Sequence, residues 1–185
     1  MSDRAQFDLA RRLRSNDPPT LGEVFAFLSG LYFRGKLAYA NAFADAALGG
    51  ADVLVITPNR GLLRADLPIT IAELKAFAEV DIDEDDPRYR KPLERDVRKL
   101  AKHFPGAEAL LFGSIATGKY VDVLLQKFGE RLLFPADFVG RGDMSRGGLL
   151  LRCAVDRCEL RFIPVAGAVR KGRRPPKLEP RRYTK

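Results

Sequence analysis

The sequence predicts an α/β protein: three-layer α/β/α, with a short parallel or mixed sheet and a C-terminal β-hairpin. Three observations carry that expectation. Short apolar runs, residues 51–57 (ADVLVIT), 108–112 and 131–135, have the length and branched-residue content of buried strands. Segments with apolar residues at helical spacing alternate with them, and the pattern strand, helix, strand implies a sheet covered on both faces. The third is a sharp division of charge. Residues 170–185 carry eight basic side chains against the single acid Glu179, and so hold +7 of the net +8. The rest of the chain is an almost neutral globular body.

Taken in order, residues 1–19 form an N-terminal helical segment whose helix, 1–15, stops at Asp17-Pro18-Pro19. Residues 20–167 form a single α/β domain, and 168–185 a basic, proline-rich tail expected to be disordered. Thr20 and Glu23 have the spacing of a capping box before a helix that buries Leu21, Val24, Phe25, Leu28, Leu31 and Tyr32. Tyr32 to Lys36, with Gly35 among them, reads as an interruption, followed by a second helix over 37–48 that Gly49-Gly50 ends. The strand over 51–57 then runs into the loop 58–64. A second capping box, Thr70 and Glu73, starts a helix within 68–80. The acidic run 79–86 (EVDIDEDD) reads as a solvated turn, because it lacks the glycine and terminal glutamate of a calcium loop. Pro92 fits the first turn of a helix that buries Leu93, Val97, Leu100, Ala101 and Phe104. Next come the strand 108–112, the turn Gly113-Ser114, a helix over 115–128, and the strand 131–135. A glycine-rich loop follows over 136–148, then two hairpin strands, 147–153 and 159–165, with Cys153 and Cys158 near the turn.

Composition excludes several functions. Two cysteines and one histidine supply neither a disulfide framework nor a Cys/His zinc set. His103, beside a helix C-terminus, reads as structural, which removes Ser-His-Asp and Cys-His nucleophilic sites. No apolar run reaches the roughly 18 residues of a membrane span, and the charged start is no signal peptide, so a cytoplasmic protein with no membrane partner is expected. No metal and no organic cofactor are expected.

Candidate chemistry lies in the three loops that follow the three core strands, which share one edge in a parallel sheet. They supply Arg60, Ser114, Lys119, Tyr120, Arg141, Asp143 and Arg146. Gly113-Ser114 can present backbone N–H groups to an anion, with Lys119 adding charge. GSIATGK is nevertheless no phosphate-binding loop of the Gly-x-x-x-x-Gly-Lys-Ser/Thr type, since its glycines are one residue too close and Tyr120 replaces the hydroxyl ligand. Four glycines between Gly140 and Gly148 permit close backbone approach, and Arg141 and Arg146 are fork donors for phosphate, carboxylate or a base edge. Asp143 is the one carboxylate there. It is either a catalytic acid, base or nucleophile, or the partner that orients an arginine.

Tyr32, Arg34, Lys36 and Tyr39 form a second, aromatic and basic cluster of a kind that stacks bases and holds phosphates, although such tyrosines also serve as wet edges of a core. Arg170, Lys171, Arg173, Arg174, Arg181 and Arg182 make the tail suited to a phosphate backbone.

Four segments in sequence, YFRGKLAYANAFA, VLVITPNRGLLRADLPIT, ALLFGSIATGKYVDVLL and LLFPADFVGRGDMSRGGLLL, together covering about residues 28–151, resemble a group of poorly characterised bacterial and phage domains. These are distantly similar to the uracil-DNA-glycosylase-like module of some deazaguanine tRNA-modification enzymes. The resemblance implies an α/β/α fold and a nucleic-acid context but no catalytic residue, and the chain lacks the His-Pro-Ser type motif of active glycosylases. The expectation is therefore a domain that binds a nucleotide or base, with DNA or RNA as partner. The alternatives are a glycosidic-bond enzyme using Asp143 and a non-enzymatic interaction module.

Overall fold

The computed structural model describes residues 5–44, 53–170 and 172–180. The chain mixes helices and strands, with two small sheets instead of one. Helix α1 (Asp8–Arg12) leads to α2 (Leu21–Phe43), whose start is the expected capping box. The Glu23 N–H donates to the Thr20 hydroxyl at 3.2 Å, and the Glu23 carboxylate accepts from the Thr20 N–H at 2.7 Å. The expected interruption at Tyr32 to Lys36 is absent: the helix runs through it and bends earlier, at Gly30, whose φ of 64° is open to glycine. Of the helix expected over 37–48, residues 45–48 lie outside the described residues, as do 51–52 of the first strand.

Strand β1 (Leu54–Thr57) turns at once into β2 (Gly61–Arg64), antiparallel, in register Thr57↔Gly61 and Leu54↔Arg64. The expected loop over 58–64 is thus a tight turn and a strand. Two features close it: Gly61 at φ 70°, and the Thr57 hydroxyl, which donates to the Gly61 carbonyl at 2.9 Å and accepts from the Arg60 N–H at 3.2 Å. Helix α3 (Ile71–Ala78) carries the second capping box. Helix α4 (Pro87–His103) begins earlier than expected, because Asp86 caps it and Pro87 takes the first turn, leaving Pro92 inside. Asp81 to Asp85 before it are exposed, as expected of a solvated turn.

Strands β3 (Ala109–Leu110) and β4 (Leu132–Pro135) are parallel, joined through α5 (Gly118–Phe128). The expected hairpin strand over 147–153 belongs instead to α6 (Asp143–Asp156). Its apolar residues look continuous in sequence, but those it buries, Gly147, Leu150 and Cys153, recur every three residues. Strand β5 (Phe162–Pro164) therefore pairs antiparallel with β4.

Two cores result. One is built on Leu13, Leu21, Val24, Val55, Ile69 and Phe77, the other on Tyr39, Tyr89, Val97, Phe134, Phe138 and Leu150. Helix α2 serves both, with the bend at Gly30 falling between Val24 and Tyr39. Beyond Val165 the described residues contain neither helix nor strand.

Candidate functional site

The site is set by the crossing of α2 and α6, where backbone meets backbone. A Cβ on Gly35 would lie 2.5 Å from the Gly147 carbonyl oxygen, and one on Gly147 would lie 2.7 Å from that of Leu31. Only glycine permits such an approach. It carries Tyr32 and Lys36, one turn apart on α2, up to Arg146 on α6.

These residues form one network. The Tyr32 hydroxyl donates to the Phe112 carbonyl at 3.0 Å, just past β3, and the nearby Arg146 charge acts on it. Arg146 also donates to the Phe138 carbonyl at 3.1 and 3.3 Å, lies over the Phe138 ring at 5.4 Å, and meets the Asp143 carboxylate at 3.4 Å. Lys36 Nζ stands 4.0 Å above the Tyr32 ring. From the start of α5, the Tyr120 hydroxyl closes over Gly113, where a Cβ would be 2.5 Å from it. The first turns of α5 and α6 and the ends of the parallel strands β3 and β4 thus supply one site. Neither Thr117 nor Gly142, the residues at the N-cap positions of the two helices, gives a side-chain cap.

The charges are partly withdrawn from water. Burial pushes the Tyr32 hydroxyl up to about 12 and raises that of Tyr120. Burial, helped by the nearby Arg146 charge and opposed by Asp143, holds the Lys36 ammonium down at about 8. Lys36 is half-buried, and among the described residues its ammonium has neither a hydrogen-bond nor an ion-pair partner.

Two sequence clusters thus merge: Tyr32 and Lys36 join Ser114, Tyr120, Asp143 and Arg146. Arg60 does not join them. It sits on the β1–β2 turn, in the other sheet, and is ion-paired with Glu73, so the three loops do not share one edge. Arg34 and Lys119 are exposed, and Tyr39 is a core residue whose hydroxyl accepts the Leu160 N–H at 2.8 Å. Asp143 is 70% exposed, at the first position of α6. Arg141 donates to the Asp137 carbonyl at 2.9 Å and the Ser145 hydroxyl at 3.2 Å. Arg170, Arg173 and Arg174 are exposed, while Lys171, Arg181 and Arg182 lie outside the described residues. His103 is exposed with its ring against Phe104, and no group of three metal-ligating side chains occurs among the described residues. None of their helices is long and apolar enough to cross a membrane.

Sequence reasoning missed the meaning of Gly35 and Gly147. The available signal was a glycine on an otherwise buried helix face, which marks close helix approach as readily as a break. It also missed Tyr89, fully buried with no hydrogen-bond partner for its hydroxyl among the described residues.

Two concavities lie elsewhere. One, of about 590 Å³, is walled by Leu54, Leu62, Leu100 and the stems of Lys99 and Lys102; the other, of about 530 Å³, lies beside Asn59 and Arg60. In the second, Arg60 and Arg88 are paired with Glu73 and Asp86. The Lys36 ammonium lies away from both concavities, half-buried over the Tyr32 ring at the α2–α6 crossing. No family model, no curated protein and no solved structure matches this chain.

Proposed function

We propose that the chain binds a phosphate-bearing nucleotide, free or within DNA or RNA, where Lys36 and Arg146 face the ends of β3 and β4. The observation that carries this reading is the half-buried Lys36 ammonium, which lies over a ring and has no hydrogen-bond acceptor among the described residues. A lysine head group is a strongly hydrated point charge, and removing its water without supplying an acceptor is unfavourable unless an anion completes it. The +7 of residues 170–185 favours nucleic acid over an isolated metabolite. The reading takes β3, β4 and β5 as the middle of a three-layer arrangement.

In this reading Asp143 orients Arg146. The test is calorimetric titration of the full chain with AMP and with adenosine at low salt. A charge-assisted hydrogen bond contributes about 1.5–3 kcal/mol, so Lys36→Met is expected to weaken AMP binding by about 10- to 100-fold, and adenosine to bind far more weakly than AMP. Equal binding of AMP and adenosine, or an unchanged affinity in Lys36→Met, rejects the reading. A glycosidic-bond enzyme would instead release free base from a nucleoside or nucleic acid and lose that turnover in Asp143→Asn.

A further inference from the structure

We infer that residues 172–180 are a fixed rail, docked along α6 beside the Lys36–Arg146 site, and that the rail receives the backbone of a single-stranded nucleic acid; this rests on the phosphate-binding reading above. The docking is visible at four points in succession, two just before α6 and two on it. Gly140 has φ 75°, and a Cβ there would collide with the Arg173 carbonyl oxygen. Arg141 donates to the Pro176 carbonyl at 3.4 Å. The Leu178 side chain, half-buried, would sit 3.6 Å from a Cβ on Gly148. Arg152 donates to the Glu179 carbonyl. Residues 140–152 thus meet the tail at its carbonyls and at Leu178, and the pairings keep the same order in both segments.

Charge follows from that arrangement. Backbone oxygens are turned to Arg141 and Arg152, while the side chains of Arg173, Arg174 and Lys177 are exposed. The rail starts beside Gly140, three residues before the first turn of α6 that bears Asp143 and Arg146. A line of cations leading to a half-buried cationic site fits a flexible strand that lays phosphates along the rail and places one at Lys36. A duplex holds its phosphates on a stiff cylinder and cannot feed one into a half-buried site without deformation.

The experiment is titration of the full chain with an oligothymidylate of about 12 nucleotides, within the range of about 4–16 such grooves cover, with AMP as a second ligand. Combined Arg173→Ala, Arg174→Ala and Lys177→Ala should flatten the slope of log affinity against log salt by about 2, at about 0.7 per phosphate contact. Leu178→Ser removes no charge, yet undocks the rail, and should weaken oligonucleotide binding about tenfold while leaving AMP binding unchanged. Gly140→Ala is a second undocking variant, and faster tryptic cleavage after Arg173 and Lys177 reports undocking in either. Wild-type oligonucleotide affinity in an undocked variant overturns the rail and leaves a tethered polycation. AMP binding with no gain for the oligonucleotide overturns the rail but spares the phosphate site, whereas failure of both ligands removes both. Equal affinity for a duplex, or for polyglutamate, replaces the single strand by that partner.

Discussion

Replacing Gly147 by alanine sets two effects against each other in one residue. Alanine is favoured over glycine within a helix by about 1 kcal/mol. Against this, the new Cβ would lie 2.7 Å from the Leu31 carbonyl oxygen and 2.8 Å from the Tyr32 Cα. Both neighbours are backbone, so no rotamer change relieves the overlap and the helices must separate. Overpacking of this kind costs about 1–3 kcal/mol, and rigid neighbours place it at the upper end. The net expectation is a loss of about 2 kcal/mol, or a Tm lower by about 4–8 °C for a chain of this size. The next residue is the control. A Cβ on Gly148 meets only the Leu178 side chain at an ordinary 3.6 Å, so Gly148→Ala should raise stability by up to about 1 kcal/mol. Urea unfolding followed by circular dichroism compares the two. If Gly147→Ala is neutral or stabilising, or if the neighbours change stability alike, backbone contact does not set the α2–α6 crossing. The same separation draws Lys36 away from Arg146, so Gly147→Ala should also weaken AMP binding.

Further expectations concern buried polar groups. The Lys36 amine titrates near 8 in the folded chain against an ordinary 10.5, so between those values the folded state binds fewer protons than the unfolded one and stability rises with pH. Below pH 8 the burden on the wild type is complete; Lys36→Met lacks it, so the variant's stability advantage in urea midpoints should shrink as pH is raised from about 7.5 towards 9.5. A constant advantage would remove the buried charge from the account. Phosphate affinity should fall over the same window as Lys36 loses its proton. The Tyr89 hydroxyl is buried with no hydrogen-bond partner among the described residues, and burying such a group unpaired costs about 1–3 kcal/mol. Tyr89→Phe should therefore raise the Tm, and a fall would mean that the hydroxyl has a partner.

Local chemistry made part of this protein legible in its sequence. Thr20 with Glu23 and Thr70 with Glu73 marked two helix starts, because a capping box is closed by residues only three apart. The apolar runs around Leu54, Leu110 and Leu133 marked strands, and Ser114, Tyr120, Asp143 and Arg146 were candidates because they follow strands β3 and β4. Pairing and approach were decided only in three dimensions. Strand β1 closes on β2 and leaves Arg60 in another sheet, since a turn can satisfy backbone hydrogen bonds as well as a crossover can. Leu149 to Leu151 can serve a strand or a helix, and burial of Gly147, Leu150 and Cys153 against α2 selects the helix. Gly35 looked like a break and is a point of contact. What a glycine does depends on what lies opposite it, and here that is Gly147, more than a hundred residues away, which places Lys36 beside Arg146.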